Sequence, residues 1–418
     1  MDVRDLRNER TGETDGAVLK LDCRQVKNAF AVCIVTGLCC DKSGAKDGGE
    51  ENGQKNLLPT TGPKEETVSS TNNVDLQQMG LSCDPRMTFV LSACNERHYE
   101  EALNMIQSLM MFSSCSFTLH FFALPEMKAD AETQLRSVMN VFWFSAVKKQ
   151  LFMYDVKYPE GVDHTDWSGP SKATTCASIR LFLPDLLPQT DSVIYVDSDT
   201  LFTEAAENLW LLFSNMKSSQ IIAVSPDFET DTDSWYRPDN PQVQTAYVLP
   251  RGVNTGVMLM NLTRMRDAKW GAEIRDLEKT YKSQLFRLEQ DLINLYFSCH
   301  PDRLMLLPCR WNFRPSHCQD NRCTCADAEV QGIALLRGGS SHADYRNSTK
   351  IHSHTIYSAF FNFDAGEQSF LDGFLEGLRD TVLGADQPDA PHCAYIYRRL
   401  VKDIEGQIIS RFPLSFEV

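Results

Sequence analysis

Ser192-Val193-Ile194-Tyr195-Val196 runs directly into Asp197-Ser198-Asp199, and the reading of this stretch decides the fold. An apolar run of strand length that ends in two acids reads as a buried β-strand with both carboxylates at its carboxyl end. In extended backbone, residues two apart face the same side, so one ligand can meet both acids. The chain holds its own control: Asp231-Thr232-Asp233 has the same spacing with no strand-like run before it, and reads as a solvated turn.

Outward from that centre the pattern alternates. Met87 to Ala93 (MTFVLSA), Phe117 to Ala123, Leu151 to Val156 and Ile221 to Val224 read as further strands. Between them, Tyr99, Ala102, Leu103, Ile106, Leu109 and Met110 recur at helical spacing behind a capping Asn95, and helices are expected from near Ser171 and over Glu204 to Phe213. Such alternation implies an α/β fold with a mixed, mainly parallel sheet flanked by helices, and ligands of such sheets bind beyond the carboxyl ends of the strands.

The 418 residues divide by composition into a leader (1–40), a polar Gly/Ser/Thr/Asn-rich stem (41–84), a catalytic domain (85–385) and an unassigned C-terminal tail (386–418). A net charge of −15 excludes broad binding to nucleic-acid backbones. Fourteen cysteines, with Cys309, Cys318, Cys323 and Cys325 crowded at spacings that fit no standard zinc pattern, favour disulfides and an oxidising lumen. Sequons at Asn261 and Asn347 agree with a secretory route. The apolar run Ala29 to Cys40 is shorter than the roughly 20 residues of a spanning helix. A truncated signal anchor, a signal-peptide core and a buried segment all stay open.

Carboxylates at a strand end suit a hard divalent cation, Mn²⁺ or Mg²⁺, with open positions for diphosphate oxygens. Gly252-Val253-Asn254-Thr255-Gly256 reads as a tight loop before a strand, able to approach a sugar closely. Glu289-Gln290-Asp291 opens a helix over Glu289 to Phe297, where first-turn acids also suit the helix dipole. Arg180 is a cation on an apolar helix face, for a phosphate or a buried acid. Trp235, Tyr236, Trp311 and Phe313 are aromatic candidates for an acceptor sugar.

Together, MTFVLSACNER, IRLFLPDLLP, SVIYVDSDTLF, GVNTGVMLMNLTRMR, EQDLIN and LPCRWNFRPSHC resemble, in order from about Met87 to Phe363, glycosyltransferase family 8. The similarity is greatest to its glucoside xylosyltransferase branch, which extends O-linked glucose on the EGF-like repeats of Notch. The resemblance implies a retaining transferase of GT-A fold, a Mn²⁺-bound UDP-sugar, α-1,3 transfer of xylose from UDP-xylose, and a type II membrane protein of the Golgi or endoplasmic reticulum, or a soluble luminal form. It implies Asp197 and Asp199 as metal ligands and Ala93, Cys94, Asn95, Arg97 and Ser198 as the uridine edge. Arg180 would meet diphosphate and donor sugar, Asn254 and Thr255 the sugar hydroxyls, and Gln290 with Glu289 the reacting centre. Trp235, Tyr236, Trp311 and Asn312 would line the acceptor side.

Two departures stand out. The family's Asp-Gln-Asp is Glu289-Gln290-Asp291 here, one methylene longer at its first acid. The family's third metal ligand is a His within Leu-His-Gly, and the matching residues are Leu336-Arg337-Gly338. Arginine cannot ligate a cation. Three outcomes follow: His342 serves instead, Arg337 contacts the diphosphate and partly replaces the metal's charge, or activity is lost. Another UDP-sugar or acceptor, or a catalytically silent relative, are the alternative readings.

Overall fold

The structure, a computed structural model, describes residues 83–140, 148–160, 162, 176–228, 230, 234–319, 322–338, 348–361, 374–379 and 392–411. The leader and nearly all of the stem, Asp231 and Asp233, the expected helix start near Ser171, His342 and Asn347 lie outside the described residues.

Seven strands form one sheet in the order β3-β2-β1-β4-β7-β6-β8. β1 (Thr88–Ala93), β2 (Phe117–Ala123), β3 (Lys149–Asp155) and β4 (Ser192–Val196) are mutually parallel. β7 (Val253–Asn261) runs antiparallel to both β4 and β6 (Ile222–Pro226), and β8 (Leu304–Leu306) is again parallel to β6. The mixed, mainly parallel sheet expected from the alternation is the one found. β4 and β7 sit centrally and are buried on both faces, which explains their near-continuous apolar runs.

The Glu96–Phe112 helix packs on β1 through Ala102, Met105, Ile106 and Leu109, all fully buried, and Asn95 caps it by accepting from the His98 amide (2.8 Å). Two short antiparallel ladders are separate from this sheet: β9 (Cys318–Gln319) pairs with β10 (Arg322–Cys323), and β5 (Thr200–Phe202) pairs with β11 (Leu335–Arg337), setting Arg337 opposite Thr200. Residues 392–411, unassigned from sequence, form a helix whose Ile396, Tyr397, Leu400, Val401, Ile404 and Ile408 join the main core. Its apolar residues recur at helical spacing.

Cys83–Cys115, Cys94–Cys176 and Cys309–Cys325 are disulfides, and Cys318 is disulfide-bonded as well. The crowded cysteines therefore tie loops together, while Cys323 keeps a thiol that donates to the Cys325 carbonyl.

Candidate active site

The carboxyl end of β4 delivers Asp197 and Asp199, and the β5–β11 ladder brings Arg337 to them. The ladder fixes the arginine's backbone: its amide donates to the Phe313 carbonyl (2.8 Å), and Gly338 N–H donates to the Asp199 carbonyl (2.9 Å). The guanidinium then forms an ion pair from Nη2 to Asp197 Oδ2, and donates from Nε to Asp199 Oδ1 (3.3 Å) and from Nη1 to Asn254 Oδ1 (2.8 Å). On the other side of Asp197, Arg180 Nη2 reaches Oδ1 at 2.7 Å while its Nη1 donates to the Thr255 carbonyl (2.6 Å) and hydroxyl (3.1 Å). Arg180 is almost wholly buried on a 3₁₀ turn, over the face of Tyr195, and its acid partner Asp197 is 16% exposed. Burial pushes the Asp199 carboxyl up, against the opposing pull of Arg337. Burial also raises Glu289.

The expected loop at 252–256 is instead the start of β7. Only Gly252 has left-handed backbone (φ 70°), against the Tyr236 ring, and Asn294 clamps Val253 by bonding both its N–H (2.8 Å) and its C=O (2.9 Å). The register on β6 jumps from Val224↔Met258 to Ser225↔Asn254, so Thr255, Gly256 and Val257 bulge. The bulge turns Asn254 and Thr255 into the site. Gly256 permits a close approach, but by a guanidinium rather than a sugar, because a Cβ there would overlap Arg337 Cζ.

Gln290, buried near the start of the Leu288–Cys299 helix, accepts from Thr255 N–H (3.3 Å) and Oγ1 (3.4 Å). Its Nε2 is buried without a hydrogen-bond partner among the described residues, as is Asn312 Oδ1. Asn312 Nδ2 donates to Asn254 Oδ1 (3.0 Å).

The expected uridine edge is partly engaged already. Cys94 is locked to Cys176, the Asn95 oxygen caps its helix, and Arg97 pairs with Glu101 (2.9 Å), which accepts from Ser198 Oγ (3.0 Å). Ala93 ends β1 and is buried.

On the acceptor side the aromatic reading needs correction. Tyr236 is fully buried and donates to Asp291 Oδ1 (2.7 Å), and Trp311 and Phe313 are at most 3% exposed. These three rings pack in the core, as large aromatics most often do. Only Trp235 is half-open, with the Arg287 guanidinium 3.9 Å from its ring centroid. Asn261 is also spoken for: its oxygen caps the following helix through the Arg264 amide (2.8 Å) and its nitrogen donates to Ser192 Oγ (3.2 Å), so the fold uses this side chain internally.

One hub escaped the sequence reading. Asp227, 1% exposed just past β6, accepts from Asn254 Nδ2 (3.3 Å), Trp235 N–H (2.9 Å) and Ser234 Oγ (3.3 Å) and pairs with Arg314 (3.5 Å). The strand-end rule that selects Asp197 would have found it.

With this geometry in place, a family model described as glycosyl transferase family 8 matches residues 89–335, more than half of the chain. Glucoside xylosyltransferase 1 of Mus musculus is 31% identical over 340 residues, spanning 79% of this chain and 80% of its own. The chain belongs to glycosyltransferase family 8. The Danio rerio glucoside xylosyltransferase 1 is 33% identical over 308 residues, 69% of this chain and 72% of the relative. Among solved structures, mouse xyloside xylosyltransferase 1 in its apo form superposes with TM-score 0.45 at 17% identity, over 60% of this chain and 97% of its own.

Family 8 enzymes use UDP-sugar donors, typically with a divalent cation, and this chain is a UDP-sugar-dependent glycosyltransferase of that family. The residues at its acidic pair do not fit such a cation. Both oxygens of Asp197 and Oδ1 of Asp199 are bonded to arginines, and no group of three His, Cys, Asp or Glu side chains able to hold a metal occurs among the described residues.

Proposed function

We propose that this family 8 enzyme is a retaining xylosyltransferase, moving xylose from UDP-xylose to the O-linked glucose of EGF-like repeats in α-1,3 linkage within the secretory pathway. The observation that carries the reading is the 31% identity over 79% of the chain to a glucoside xylosyltransferase. The disulfides support an oxidising compartment. No helix among the described residues is long and apolar enough to cross a membrane, and the 29–40 segment lies outside them.

In the proposed reaction the acceptor hydroxyl attacks the anomeric carbon on the face from which UDP departs. The new C–O bond forms as the bond to the diphosphate breaks, and a departing phosphate oxygen takes the hydroxyl proton. Gln290 would serve the reacting sugar through Nε2, a buried donor whose unmet hydrogen bond is costly until a ligand oxygen accepts it. Asn254 and Thr255 hold the shape of that pocket. Arg180 acts as a positioning residue, fixing Asp197 and Thr255 together.

The test is direct: incubate purified protein with a panel of UDP-sugars and a glucosylated EGF-like repeat, and follow product mass. A pentose increment from UDP-xylose alone is expected. Transfer of a different sugar, or none while UDP binds, would overturn the assignment.

A further inference from the structure

We propose that Arg337 is a built-in cation for the donor diphosphate, so that this enzyme binds UDP and UDP-sugars without a divalent metal. The inference rests on the UDP-sugar reading of the site. A guanidinium has five N–H donors, and three of those of Arg337 are spent on Asp197, Asp199 and Asn254, leaving two for phosphate oxygens. Its side chain is 20% exposed, against 4% for Arg180, so of the two arginines on Asp197 it is the one open to a ligand. Guanidinium N–H groups match phosphate oxygens in bidentate geometry.

The cation is also held in advance. β11 pairs with β5, the Arg337 amide is bonded to Phe313, and Gly338 is bonded to Asp199, so the arginine's backbone cannot drift from the acids. Gly256 leaves the space its guanidinium fills. A dipole or charge fixed before the ligand arrives costs no reorganisation when charge develops on the departing diphosphate. Geometry points the same way: the two guanidiniums already pair both carboxylates at the strand end, and seating a dication would require Arg337 to leave three partners. On this account Asp197 and Asp199 hold arginines rather than a metal.

The experiment is calorimetric titration of UDP into the full chain, once in EDTA and once in Mn²⁺, with manganese electron paramagnetic resonance on the second sample. Wild-type affinities should agree within about threefold, a difference well under one logarithmic step, with no protein-bound manganese signal. Arg337→Met should weaken metal-free binding about 10- to 100-fold, the range of a charge-assisted bond. Because that variant leaves two acids unpaired, Arg337→Lys provides a second route: it keeps a cation beside Asp197 and Asp199, so the melting temperature should hold, while the loss of the guanidinium fork should still weaken metal-free UDP binding. The proposal is overturned by wild-type binding that is about tenfold or more weaker in EDTA than in Mn²⁺, or by Arg337→Met binding UDP as wild type does. Manganese-dependent binding would sink the inference and leave the UDP-sugar reading standing. Absent UDP binding in both buffers would sink both. Metal-free binding with no sugar transferred to any acceptor would keep the inference and remove xylosyl transfer.

Discussion

The two sides of the cleft differ in how far they are satisfied before any substrate arrives. Around Asp197 and Asp199, the guanidiniums of Arg180 and Arg337 already pair the acids, and hydrogen bonds run on through Thr255 and Asn254. Around Gln290 and Asn312, a buried donor and a buried acceptor have no partner among the described residues. Buried polar groups are nearly always paired, so an orphan in a native site calls for a ligand or water. The first side is an electrostatic scaffold set before the donor arrives, with two Arg337 N–H groups left over, whereas the second keeps buried polar groups that only a ligand or water would satisfy.

The largest test of that contrast is Gln290→Ala. If the orphaned amide acts only on the reacting sugar, transfer should fall by about 100-fold or more, the usual cost of one transition-state donor. UDP affinity, read separately by calorimetry, should barely change. An equal loss in both would make Gln290 part of the scaffold and erase the distinction.

Next in size, Asp197→Ala removes the acid shared by both arginines. Stranding a buried charge costs on the order of 3–5 kcal/mol, and a large drop in denaturation midpoint is expected. A near-neutral effect would show that the acid pair is loosely held. The edge beside it is braced by Cys94–Cys176, which closes a long loop (separation 82), so replacing both by serine should cost about 2–4 kcal/mol in the same denaturation assay. The smallest change serves as a control away from both sides. Asn261→Ala loses a helix cap, worth about 1 kcal/mol, and should leave the transfer rate untouched.

Much of the fold was legible along the chain. β1, β2 and β4 lie within a residue of the apolar runs that announce them, because strands buried on both faces must be continuously hydrophobic. Less of the site was. Gly252 to Gly256 reads as a turn by composition, yet Asn294, about 40 residues on, holds Val253 in a strand. Tyr236 and Trp311 read as sugar platforms because an aromatic residue looks alike in a core and in a cleft. Arg337 stands out only against the histidine the family resemblance leads one to expect. Its meeting with Asp199 depends on a ladder between β5 and β11, and a long-range pairing leaves no local mark.

The sequence by itself determined the alternation of strands and helices, the position of two acids at a strand end, and the kinship with family 8, because each is a property of contiguous residues. Only the tertiary structure decided what those acids hold. Asp197 is met by Arg180 from 17 positions before it and by Arg337 from 140 after it. Ion pairing depends on distance in space, and the fold, through β11 on β5 and a bare Gly256, chose a guanidinium for the place beside them.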